Sequence, residues 1–130
     1  QENKLQALFI VSPYGESLEE QQMFNYMARI VEEAGYRFLN MNNYYDEIGI
    51  VFEEDFADYA SHTNAVGAEK CTAFLAKYLL ENYSFTDKRG NETYASWDEA
   101  YALWLVKSRE AGAVIAEHIT NEDYAVIDGD

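Results

Sequence analysis

Residues 5–11 read Leu-Gln-Ala-Leu-Phe-Ile-Val, a nearly continuous apolar run ended by Ser12-Pro13-Tyr14-Gly15. A run this short, bounded by turn residues, predicts a strand buried on both faces. Ser17-Leu18-Glu19-Glu20 follows as a capping box, and Met23, Met27, Ile30, Val31 and Ala34 recur at helical spacing before Gly35. That pattern predicts a helix over 18–34 with a glycine stop. Tyr36 to Met41 is a second strand-like run. Strand, helix and strand in direct succession fit one crossover unit, parallel and right-handed, so the class is α/β.

After Met41 comes a long stretch rich in Asn, Tyr, Asp and Glu, longer than structural connections usually run and so a candidate functional loop. Ile48 to Phe52 within it has the composition of a short strand. Asn64 is a candidate N-cap for a helix to about Tyr83, with Val66, Cys71, Phe74, Leu75, Tyr78 and Leu79 on one face. A polar bend, 86–91, separates it from a second capping box, Ser96-Trp97-Asp98-Glu99. This opens a helix to about Ile119 with Trp97, Tyr101, Trp104, Leu105, Ser108, Gly112 and Ile115 on one side. The acidic tail from Thr120 to Asp130 contains a possible edge strand at Tyr124–Ile127.

Two parallel strands do not make a stable sheet alone, and Ala7 to Val11 carries apolar groups on both faces. Either the tail and the Ile48 run complete the sheet, or the chain belongs to a larger α/β domain with further strands; the second reading is favoured. With 130 residues, 48% of them hydrophobic and 15% aromatic, the chain is sized for one folded domain. Residues 1–85 supply its α/β part, and 86–130 a bend, a helix and a tail packed on it. The N-terminus, Gln1-Glu2-Asn3-Lys4, shows neither an initiator Met nor a signal-peptide pattern and reads as a processed or truncated chain. A net charge of −15 argues against nucleic acid and anionic lipid surfaces as partners. No apolar run reaches the length of a membrane span. The single cysteine, Cys71, reads as a small core residue.

In an open parallel sheet, ligands bind beyond the carboxyl ends of the strands. Two segments leave that edge: Ser12-Pro13-Tyr14, and the long loop to His62. His62 is one of two histidines and closely follows Glu53, Glu54, Asp55 and Asp58. A carboxylate beside an imidazole holds its tautomer and stabilises the imidazolium, as a general base serving a hydroxyl nucleophile requires. The alternative is a helix-entry histidine bonded to backbone. Ser12 lacks a G-x-S-x-G elbow and reads as substrate lining with Tyr14 rather than as a nucleophile. The acidic residues with His62 match no EF-hand loop and no H-E-x-x-H helix, and Asp128-Gly129-Asp130 is a fragment of a calcium-like pattern. No metal or cofactor is assigned. Tyr44, Tyr45, Tyr14 and Tyr59 are candidates for a sugar-stacking surface, whereas Tyr26, Tyr78, Tyr101, Trp97 and Trp104 fit core packing. His118 fits a favourable charge at a helix C-terminus.

The segment Asp55-Phe56-Ala57-Asp58-Tyr59-Ala60-Ser61-His62-Thr63-Asn64, with Gly67-Ala68-Glu69-Lys70 and Phe74-Leu75-Ala76-Lys77-Tyr78-Leu79, resembles the last block of the SGNH (GDSL-like) hydrolases. It is most similar to the bacterial branch found beside membrane-bound O-acyltransferases in cell-surface polymer modification. The resemblance reaches back through Leu8–Tyr14 and Gly35–Asn40 and forward to Asp87-Lys88-Arg89-Gly90 and Ser96-Trp97, covering roughly residues 5–100 as the C-terminal half of that fold.

The resemblance implies a partial three-layer α/β/α parallel sheet of SGNH or flavodoxin-like type, with a C-terminal helical extension. It also implies His62 as catalytic base with an acidic residue before it, and a location outside the cytoplasmic membrane. The implied substrate is an acylated glycan or other cell-surface polymer, and the implied partner a membrane-bound O-acyltransferase or the N-terminal half of the domain. The family usually leaves two residues between acid and histidine, whereas Tyr59, Ala60 and Ser61 separate Asp58 from His62. Asp58 and Asp55 are therefore both candidates, and Tyr59 and Asn64 join the substrate-facing set. The family's nucleophilic serine and oxyanion donors lie in blocks that this chain does not contain, so the chain alone is expected to be inactive as an esterase. The competing reading is a non-catalytic module that binds glycan or a partner through a degenerate site.

Overall fold

A computed structural model describes residues 6–58 and 60–120, with the side chains of 118–120 left aside. Tyr59, the His118 side chain, the Tyr124–Ile127 segment and Asp128-Gly129-Asp130 lie outside the described residues. The chain forms two compact units, residues 1–64 and residues 65–130.

The first unit is mixed α/β. Strand β1 (Leu8–Val11) pairs in parallel with β2 (Arg37–Asn40), Leu8 opposite Arg37 and Val11 opposite Asn40. Helix α1 (Leu18–Glu33) connects them and packs on β2. Its capping box forms as expected. Glu20 N donates to Ser17 Oγ (3.3 Å), while Ser17 N and Oγ donate to Glu20 Oε2 (2.8 and 2.7 Å). Gly35, at φ +85°, ends the helix in the left-handed region that glycine enters without strain.

Two expectations about burial fail. β1 is not buried on both faces: among the described residues β2 is its sole strand partner, and Phe9 and Ile10 remain 45% and 42% exposed. Nor does α1 bury the Met23, Met27, Ile30 stripe, which stays exposed. Its half-buried side chains are Glu20, Phe24, Ala28 and Val31. Of the residues the spacing selected, Val31 is half-buried, while Phe24, which it did not select, is half-buried beside Tyr14.

After β2 the chain makes a 3₁₀ turn (Met41–Tyr44), then two one-turn helices, α2 (Tyr45–Ile48) and α3 (Phe52–Asp55), where a strand was expected. Gly49, at φ +76°, terminates α2, and the Asp55 side chain caps α3 by accepting from Val51 N. Local side-chain and glycine chemistry thus overrides the β-prone composition of this run. A short antiparallel hairpin of β3 (Phe56–Asp58) and β4 (His62–Thr63) closes the unit. Its core is small: Leu39, Met41, Ile48 and Phe56, with Asn40, Asn42 and Asp55 buried beside them.

The second unit holds α4 (Ala65–Asn82), a 3₁₀ turn (Glu92–Tyr94) and α5 (Ala95–Thr120), the two helices packed together. On α4 the expected face of Val66, Cys71, Phe74, Leu75, Tyr78 and Leu79 is half-buried throughout. On α5 the expected stripe divides. Leu105, Ser108, Gly112 and Ile115 are half-buried, but Trp97, Tyr101 and Trp104 are exposed and do not pack as core. Ser96 lies inside α5 and not at its cap. The turn before it is capped by Asn91, whose side chain accepts from Thr93 N at 3.0 Å. No described helix is long and apolar enough to cross a membrane.

Candidate functional site

The β3–β4 hairpin brings Asp58 and His62 together. Their backbones are paired across the ladder, and a register shift lies just before them, between Phe56 and Asp58. His62 N donates to Asp58 Oδ1 at 2.8 Å, and His62 Nδ1 lies 2.8 Å from Asp58 Oδ2. The imidazole's hydrogen bond holds the Asp58 carboxyl below the usual carboxylate range. Both groups face solvent, the side chains being 80% and 49% exposed for His62 and Asp58. Ser61 N donates to Asp58 O (2.7 Å), and Ala60 takes φ +63°, so the connecting turn carries a left-handed non-glycine residue.

That turn is tied to the end of the parallel pair. Gly15 N donates to Ala60 O at 2.7 Å, and a Cβ on Gly15 would meet the Ala60 Cβ at 3.2 Å. The absence of a side chain on Gly15 therefore permits the close approach. Because Gly15 lies in the segment that leaves β1 through Ser12-Pro13-Tyr14, the histidine hairpin is tethered beyond the carboxyl end of that strand.

The same edge carries a polar network. Buried Asn42 accepts from Tyr14 N (2.8 Å) through Oδ1, and its amide donates to Asn40 Oδ1 (2.8 Å) and Glu16 Oε2 (3.1 Å). Tyr45 donates to Tyr14 O at 2.5 Å, with Asn42 Oδ1 2.9 Å from the same hydroxyl. Burial, reinforced by the Glu16 charge, pushes Tyr45 up to about 12. Desolvation and the Glu20 carboxylate raise Tyr14 in the same direction. Asn40, Asn42, Glu16 and Gly15 were not singled out in the sequence. The Asn-x-Asn directly after a parallel strand was the available signal.

The remaining predicted residues separate from the Asp58–His62 pair in different ways. Asp55 is fully buried; its Oδ2 accepts from Val51 N at 2.7 Å and its carbonyl from Asn64 N at 2.9 Å, so it braces the hairpin from beneath. The Asn64 side chain does the same, donating to Glu54 O (2.6 Å) and Phe56 O (3.3 Å). Tyr45 turns its hydroxyl inward and packs its ring against Phe52, which stacks on Phe56. Tyr44 and Tyr14 are half-buried, Tyr14 edge-on to Phe24. Ser12 is exposed after β1 and, among the described residues, makes no hydrogen bond to His62. The acidic loop does not gather into a cage: no group of three or more His, Cys, Asp or Glu that would hold a metal occurs among the described residues.

Comparison with known proteins gives no match to a family model, a curated protein or a solved structure.

Proposed function

We propose that this chain is the C-terminal portion of an SGNH-type esterase or O-acyltransferase acting on acylated cell-surface polysaccharide outside the cytoplasmic membrane. In this reading His62 is the general base and Asp58 orients it. The observation that carries the reading is the 2.8 Å contact between His62 Nδ1 and Asp58 Oδ2 in a hairpin tethered to the carboxyl end of β1. A proton held on Nδ1 by the carboxylate leaves Nε2 as the basic nitrogen, the one that takes a proton from an attacking hydroxyl and returns it to the leaving group. Asp58 takes this role in preference to Asp55, whose carboxyl caps α3.

Two further observations support a wider, three-layer domain. β1 presents apolar side chains on both faces and, among the described residues, pairs along one edge alone, and α1 keeps Met23, Met27 and Ile30 in solvent. Solvated edge strands usually alternate apolar and polar groups, and amphipathic helices usually show one apolar stripe. Surfaces of this kind suit a strand beside β1 and further structure over α1, supplied by an N-terminal half that also carries the serine and the oxyanion donors. A membrane-bound O-acyltransferase is the partner this function implies.

The 130-residue chain alone therefore shows no turnover of an acetyl ester. Joined to an SGNH N-terminal half ahead of Leu5, it gains turnover that falls by about 10²–10⁴-fold in His62→Ala. Turnover by the isolated chain that is lost in His62→Ala, or turnover by the fusion that survives His62→Ala, overturns the reading. The exposure of the imidazole favours one competitor, a glycan- or partner-binding module with a degenerate site, since a general base works best where water is excluded. A folded fusion that binds acylated polysaccharide without cleaving it decides for that competitor.

A further inference from the structure

The second unit has an open surface pocket of about 580 Å³ between the end of α4 and the start of α5, lined throughout by exposed residues and within the volume range of small-ligand sites. Its walls are aromatic and unusually bare: Trp97 is 75% exposed and Phe85 61%, with Tyr94 alongside. An indole left in water on the first turn of a helix contributes nothing to packing, although its face is the largest apolar surface a side chain offers.

The loop that frames these rings is fixed by its own hydrogen bonds. Asp87 accepts from Arg89 N (3.0 Å), Nε (2.9 Å) and Nη2 (2.5 Å), while Asp98 reaches back from α5 to accept from Gly90 N (3.0 Å). Gly90 takes φ +71°, and Asn91 N donates to Lys88 O at 3.2 Å. Lys88 Nζ stands 5.4 Å from the centre of the Tyr94 ring. The loop between the rings is thus internally hydrogen-bonded, which lowers the ordering cost of binding there.

Charge selects among ligands. The molecule carries −15 overall, yet Asp87 and Asp98 are balanced within this cavity by Lys88 and Arg89. A locally neutral site with apolar ring faces and a rim of fixed donors and acceptors matches a neutral pyranose, which presents C–H faces to aromatic rings and hydroxyls to the rim. Free cations gain nothing from a balanced site, and a purely apolar peptide leaves the rim's outward-facing polar atoms without water or partner. We infer that the Phe85–Trp97 cavity is a binding site for a neutral saccharide. The inference stands apart from the ester chemistry of His62, which lies in the other unit.

The test titrates the 130-residue chain with cellotriose and triacetylchitotriose, following the heat of binding by calorimetry. Trigalacturonic acid and triglucosamine serve as charged controls. The expected result is a saturable change with at least one neutral trisaccharide at about millimolar concentration. It is weakened at least about tenfold in Trp97→Ala and in Phe85→Ala, and retained in Trp104→Phe and His62→Ala. Because Trp97 is exposed, its loss leaves helical circular dichroism unchanged. No saturable response to either neutral sugar, an undiminished response in Trp97→Ala, or equal binding of the charged trisaccharides overturns the proposal. Loss of binding in His62→Ala with Trp97 intact would move the sugar site to the hairpin and also overturn it.

Discussion

Replacing Asp55 by alanine separates bracing from chemistry in the acidic loop. The Asp55 side chain is fully buried and accepts from Val51 N at 2.7 Å. A hydrogen bond to a carboxylate contributes about 1.5–3 kcal/mol net, and its loss leaves the Val51 amide to find solvent from its exposed side. For a unit of this size about 1 kcal/mol moves the melting temperature by roughly 4–8 °C, so Asp55→Ala lowers it by about 6–24 °C. Asp55→Asn keeps an acceptor of the same shape and recovers much of that loss. Asp58→Ala melts within the scatter of ordinary surface substitutions, because its carboxyl is half in water, but it frees the His62 ring. Thermal melts followed by circular dichroism, together with ¹⁵N shifts of the His62 ring, read out both effects. If Asp55→Ala melts with the parent chain, or Asp58→Ala leaves the Nδ1 and Nε2 shifts untouched, the division of labour is refuted.

Three further outcomes are expected. The hydrogen bond from His62 depresses Asp58, so the pair's contribution to stability is fully present above the ordinary carboxylate range and fades as pH falls through the lowered value; carbon-detected titration should show Asp58 returning toward the ordinary value in His62→Ala. Tyr45, raised to about 12, should stay protonated well past the ordinary phenol value near 10. It therefore stabilises the fold below that value and ceases to do so as pH climbs toward 12, and ultraviolet difference titration should lose this late step in Tyr45→Phe. Gly35→Ala should destabilise by about 1 kcal/mol in urea unfolding, because φ is +85° there while nothing crowds the added methyl.

The sequence by itself determined the strand, helix and strand of the first unit and the Ser17–Glu20 cap. It also determined the Gly35 stop and the half-buried face of α4, because hydrogen bonds and spacings between near neighbours set them. Only the tertiary structure decided that Asp58 and not Asp55 meets His62, since a hairpin's register depends on where the ladder shifts and which residue accepts φ +63°. It likewise decided that Ile48 and Phe52 fall in two separate one-turn helices, and that α1 half-buries Phe24 and Val31 rather than its methionines. Trp97, whose spacing reads as core, stands in water for the same reason. Periodicity says which residues share a face, but what that face meets is fixed by elements distant in the chain, and burial follows from the meeting.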